Sequence, residues 1–160
     1  MLHDELSSTR SLLLDTTYML PVFGIDIGVD SASSIQETLS GLVEKGTVLF
    51  ISDLSPFEAF IKSYRIAEKL KDERGKEEAK LGLLFVVRGD WATKIRHEDD
   101  EIIEQAFKIR LKHKDPFDCF IFATAQVRKI PLVTEDRAAP QFLEDELVMN
   151  WATLKKSVRS

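Results

Sequence analysis

Cysteine is almost absent from this chain. The one residue, Cys119, cannot form an internal disulfide and sits in an apolar stretch. It reads as a buried free thiol, and a reducing, cytoplasmic setting is the expectation. Histidine is scarce too: His3, His97 and His113 show no metal-ligand spacing and no matched nucleophile. Glycine and Ser/Thr patterns exclude other chemistries. There is no Gly-rich loop with Lys-Ser/Thr to cradle phosphates, no GxGxxG and no G-x-S-x-G elbow. No apolar run approaches the ~18 residues that span a bilayer, and nothing reads as a signal peptide, so no membrane partner is expected. Excess positive charge is missing as well. A net charge of −5 argues against broad attraction to nucleic acid or anionic lipid, yet it allows an acidic site that needs a cation. No internal repeat or low-complexity segment is visible.

What is present suits one globular domain over residues 1–160, with a core from about 11 to 155. Of its 160 residues, 44% are hydrophobic, and the 31% that are charged are mixed in sign, unlike a disordered tail. Residues 1–10 are polar and read as a frayed end. Ser11-Leu-Leu-Leu-Asp15 has the pattern of a strand buried on both faces and ends in an acid. Tyr18 to Phe23 reads as a short helix or turn stopped near Pro21, and 24–33 as loop. Ser34 to Lys45 has helical spacing, with Gly46 at its C-cap. Thr47 to Ile51 is a second apolar strand.

Ser55 and Glu58 have the form of a capping box, with Pro56 at the first helical position. That helix is expected to run to about Arg74, with Phe57, Phe60, Ile61, Tyr64 and Ala67 as its core stripe. A second helical stretch covers Glu77 to Val87. Ala92 to Arg96 suggests a short strand, and Glu101 to Lys112 another helix. Asp115 suits an N-cap before Pro116, opening an apolar helix that contains one acid, Asp118. Ile130 to Thr134 reads as a strand, followed by Glu135 and Asp136. A short helix at 141–144, a strand at 147–149 and a helix from Trp151 complete the chain. Strands alternating with helices predict an α/β fold: three layers, α/β/α, around a central parallel sheet.

In open α/β sheets, ligands bind beyond the carboxyl ends of the strands. Asp15 and Asp136 close strands, and Glu58 lies in the first turn after one. Asp118 lies in a helix's first turn and can join them. Four crowded carboxylates repel and take up protons unless a cation sits among them. Oxygen ligands suit Mg²⁺ or Mn²⁺, ions that clamp phosphoryl oxygens and activate water.

Leu-Leu-Leu-Asp15-Thr-Thr, Ser55-Pro-Phe-Glu58, Asp118-Cys-Phe-Ile-Phe-Ala-Thr-Ala and Leu-Val-Thr134-Glu-Asp136 together resemble the PIN domain, most closely its small VapC-type members. The resemblance runs from about residue 11 to 155. It implies a metal-dependent ribonuclease with Asp15, Glu58, Asp118 and Asp136 as the metal-binding and catalytic acids. It places Asp15 at the centre and Thr17 and Thr134 as supporting hydroxyls. It also implies an RNA substrate, a homodimer and an antitoxin protein as partner. An rRNA-processing nuclease or an inactive RNA- or protein-binding scaffold on the same fold are the alternatives. The match is poor over residues 24–34 and 72–96. A haloacid-dehalogenase-type phosphatase is disfavoured, since Thr17 stands where that family wants an acid.

Plainer readings stand beside these. Asp15 can simply end a strand, and Glu58 can serve a capping box. Asp115 reads as a cap, Glu135 as a solvated neighbour, Asp53 as loop and the charge run 68–80 as a wet helix face. Lys62, Arg65, Arg128 and Arg137 are candidates for contact with flanking phosphates.

Overall fold

A computed structural model describes residues 10–159; the polar segment expected over residues 1–10 falls, apart from Arg10, outside them. Five parallel strands form one sheet in the order β3-β2-β1-β4-β5. They are β1 (Ser11–Leu14), β2 (Val48–Ser52), β3 (Thr93–Ile95), β4 (Leu132–Val133) and β5 (Val148–Met149). The helices are α1 (Ala32–Glu44), α2 (Ser55–Lys69), α3 (Glu73–Arg88), α4 (Asp100–Arg110), α5 (Pro116–Arg128) and α6 (Trp151–Arg159). A 3₁₀ segment, Thr16–Phe23, follows β1, and two short 3₁₀ turns, Ala139–Gln141 and Asp145–Leu147, lie between β4 and β5.

The central strand explains the layering. Leu12, Leu13 and Leu14 have no exposed surface. Side chains alternate across a strand, so Leu12 and Leu14 face one core and Leu13 the other. The first core adds Ile35, Leu39, Ala59, Val86 and Leu154, which bring in α1, α2, α3 and α6. The second adds Ile102, Ala106, Ile121 and Phe122, from α4 and α5. The three-layer parallel architecture expected from the apolar runs is the one observed. No helix among the described residues is long and apolar enough to cross a membrane.

Two local readings differ. The long helix expected from Ser55 to Arg74 breaks after Lys69, where Lys71 takes a positive φ of 53°. A new helix then starts at Glu73, capped by Asp72 through the Gly75 amide at 3.0 Å. Gly75 lies in the first turn of α3, in close approach to Ala67. The stripe expected on α2 is met in part, with Ala67 buried and Phe60 packed against the first core. Phe57 is 52% exposed, and Ala59, Ser63 and Ala67 are buried. Small residues at every fourth position let α2 and α3 lie close, which larger side chains would prevent.

The same closeness recurs at Gly82 of α3. A Cβ there would stand 2.9 Å from the Phe23 ring and 3.0 Å from the Val22 carbonyl. Gly41 in α1 is different: its added Cβ would meet only Val158, at an ordinary 3.7 Å. Gly82→Ala should therefore lower stability by roughly 1 kcal/mol, overpacking outweighing the helix-propensity gain. Gly41→Ala should raise it by about 0.5–1 kcal/mol. Urea unfolding midpoints of the two variants check the opposite signs.

Candidate metal and nuclease site

Asp15 follows β1 directly, and its amide extends the ladder to the Val133 carbonyl at 3.1 Å. That pairing fixes the backbone of Asp15 beside the end of β4. Thr134, the next residue of β4's run, donates its hydroxyl to Asp15 Oδ2 at 2.6 Å and accepts the Asp136 amide at 3.0 Å. One buried hydroxyl thus ties together two acids that are far apart in sequence. Asp136 is held further by its own turn, with Oδ1 accepting the Ala138 amide at 2.8 Å.

Glu58 lies in the first turn of α2 and is almost fully buried. The capping-box reading does not describe it. The helix begins after Leu54 without a side-chain cap, and the Ser55 hydroxyl is buried without a hydrogen-bond partner. Glu58 turns instead toward the sheet edge. Its Oε2 accepts the Thr16 hydroxyl at 2.5 Å and its Oε1 the Lys62 ammonium at 2.6 Å. The hydroxyl at this carboxylate belongs to Thr16; Thr17, expected as a supporting hydroxyl of the site, is partly buried. Burial works most strongly against the Lys62 charge, but the hydrogen bond to Glu58 and the nearby charges of Glu58, Asp15 and Asp115 together outweigh it, and the pKa is raised.

Asp118 occupies the first turn of α5, where Asp115 caps the Phe117 and Asp118 amides at 2.9 and 3.4 Å. Asp118 Oδ2 accepts a hydrogen bond from His113 Nε2 at 2.9 Å. Two sets of side chains can bring ligand atoms within 4.8 Å of one another: His113, Asp118 and Asp136, and Glu58, Asp115 and Asp118. Asp118 is common to both. Asp15, expected at the centre, is in neither set; the charges of Glu58 and Asp118 nevertheless act on it.

The electrostatics follow from this crowding. Burial pushes the Asp15 carboxyl up to about 6; the Thr134 hydrogen bond opposes the rise, and the charges of Glu58 and Asp118 add to it. Asp118 is raised as well, first by burial, with His113 opposing and Asp115, Asp136 and Glu58 adding. Buried acids whose ionised forms are penalised in this way are a fitting donor set for a hard divalent cation, whose charge reverses the penalty.

Other candidates lie elsewhere or serve the frame. Arg128 pairs with Asp99 at 2.9 Å. It sits at the far end of α5, roughly 15 Å from Asp118 by helical rise. Asp53 binds the His97 amide and ring at 2.9 and 2.8 Å, securing the chain after β3. Glu135 is engaged too: its Oε1 accepts the Trp151 amide at 2.7 Å and the Tyr18 hydroxyl at 3.1 Å. Arg65 and Arg137 are exposed. Sequence reasoning passed over His113 and the capping-plus-site position of Asp115. Only the five-residue spacing between His113 and Asp118, across a helix start, hinted at the former.

The PIN domain family model matches residues 12–142, and the chain belongs to that family. Among curated proteins none matches it in sequence. Solved structures share the fold. The toxin VapC20 of Mycobacterium tuberculosis, which cleaves the sarcin–ricin loop, aligns with a TM-score of 0.59 at 15% identity, covering 83% of this chain and 97% of that one. VapBC2 of Rickettsia felis, solved on a promoter DNA fragment, aligns at 0.60 and 15% identity, covering 89% and 99%. A toxin–antitoxin complex from Klebsiella pneumoniae aligns at 0.51 and 18% identity, covering 86% and 95%.

The Asp15 shift has a signed consequence. Its folded pKa of about 6 lies above the ordinary 3.8, so the associated stability is complete below about pH 4 and is lost as pH rises through 6. In chelator, Asp15→Asn should therefore be more stable than the parent above pH 6, by on the order of 3 kcal/mol, and the gap should close toward pH 4. Thermal melts across that range give the comparison.

Proposed function

We propose that this PIN domain is a Mg²⁺- or Mn²⁺-dependent endoribonuclease and the toxin of a toxin–antitoxin pair. The observation that carries the reading is the position of Asp118, shared by two potential ligand sets at the sheet edge where Thr134 already ties Asp15 to Asp136. Asp118, Asp136 and Asp15 would hold the cation, and Glu58 would contribute directly or through water. When bound, such an ion polarises a phosphoryl oxygen and lowers the pKa of a coordinated water.

The chain's own groups do the rest. Thr134 orients Asp15, and Thr16 with Lys62 orients Glu58. Lys62, Arg65 and Arg137 supply positive charge for flanking phosphates, which fixes register without reading sequence. Looped or single-stranded RNA suits the site, because a phosphodiester must enter a cleft of carboxylates. The sarcin–ricin loop cleaved by the Mycobacterium relative is a substrate of that kind.

An antitoxin partner fits the Klebsiella and Rickettsia relatives, which were solved as complexes. It also fits an apolar groove of about 760 Å³ between the Thr16–Phe23 segment, α1 and α3. Leu81 and Phe85 line it, and each is 59% exposed. Exposed apolar surface of this kind favours a protein partner.

The test is cleavage of a loop-containing RNA with Mn²⁺, with chelator, and with Asp15→Asn or Asp118→Asn. Cleavage with Mn²⁺ alone is expected, and each variant should lose about 100-fold or more in kcat/KM. Equal cleavage in every arm would defeat the enzymatic reading.

A further inference from the structure

Each acid at the sheet edge has a partner that fixes its carboxylate. Thr134 holds Asp15, Thr16 and Lys62 hold Glu58, and the Ala138 amide holds Asp136. For Asp118 that partner is His113, the only side chain among the described residues that hydrogen-bonds its carboxylate. Asp118 also has crowded surroundings, with the charges of Asp115, Asp136 and Glu58 all acting on it. A carboxylate in that position turns readily unless something restrains it.

His113 is built as a restraint. Its backbone is anchored on both sides: its amide donates to the Ile109 carbonyl at 3.0 Å, and its own carbonyl accepts from Arg110 Nη1 at 3.1 Å. Cys119 Sγ reaches the same carbonyl at 3.7 Å. Its imidazole centroid lies 5.6 Å from both the Phe122 and the Phe142 ring, and those two rings stack at 5.9 Å. The aromatic frame leaves the His113 side chain 18% exposed and aims Nε2 at Asp118 Oδ2. A rigid imidazole on Oδ2 restrains rotation of the Asp118 carboxylate, the one acid common to both candidate ligand sets.

We propose that His113 is a positioning residue that locks Asp118 in its cation-binding orientation, through an Nε2–H bond to Oδ2 backed by Phe122 and Phe142. The inference rests on the metal-site reading above. Hydrogen-bonded partners of ligating side chains commonly govern ~10–100-fold in metal affinity. The role needs an N–H donor, not a nitrogen ligand, and so it separates from direct coordination.

The experiment is Mn²⁺ titration by calorimetry on the full chain, with melting temperatures recorded for every protein. His113→Ala should weaken Mn²⁺ binding by ~10-fold or more. His113→Gln, which keeps a donor, should recover most of that loss. Phe142→Leu, which loosens the frame without touching Asp118, should give a smaller loss. Unchanged affinity in a folded His113→Ala variant would overturn the inference and leave the metal site standing. Equal losses in folded His113→Ala and His113→Gln would also overturn it, in favour of direct nitrogen ligation. Failure of the parent protein to bind Mn²⁺ would remove the metal-site reading itself, and this inference with it.

Discussion

The structure depends on keeping like charges together at the carboxyl end of a parallel sheet. Two unit charges 4 Å apart at the effective dielectric of a protein surface repel by about 4 kcal/mol. Asp15, Glu58, Asp118 and their neighbours meet that repulsion with local hydrogen bonds, at Thr134, Thr16, Lys62 and His113. Burial first, and the neighbouring charges in addition, leave the carboxyl pKa values of Asp15 and Asp118 raised. The folded chain holds an arrangement that is unfavourable by itself and that, on the proposed reading, a cation makes favourable.

The fold makes that arrangement possible. Parallel strands send all their carboxyl ends to one edge, and the helices that follow begin there. Glu58 and Asp118 each occupy the first turn of a helix. The positive end of a helix dipole offsets part of their charge, about 0.3–1 kcal/mol each. The sheet itself is clamped by a fully buried central strand, and Asp15 follows that strand directly. Small residues on α2 and α3 serve the same end, because they let the helix bearing Glu58 seat closely. Sites that hold unfavourable charge commonly trade stability for activity.

Much of this was legible in the sequence, for physical reasons. Continuous apolar runs such as Leu12 to Leu14 announce strands covered on both faces, and acids at their ends announce an edge. Asp118 stood out because a lone carboxylate in an apolar helix needs a partner. The details that escaped have equally physical causes. Thr16 and Thr17 are adjacent, and only the 3₁₀ geometry after β1 decides which hydroxyl meets Glu58. Phe57 outweighed Ala59 and Ser63 in a hydrophobic count, although close helix packing favours the smaller pair. The break at 70–72 depends on a left-handed Lys71, which no residue preference signals. His113 lies in the connection between α4 and α5, and the path of that connection creates its pairing with Asp118.

The most direct test of the central claim is a crystal structure grown with Mn²⁺, read through the metal's anomalous signal. The account predicts a peak at the carboxyl edge of the sheet, coordinated by Asp118 together with Asp136 or Asp15. A well-ordered structure at saturating Mn²⁺ with no peak there, or with the metal bound only at remote surface acids, would contradict it.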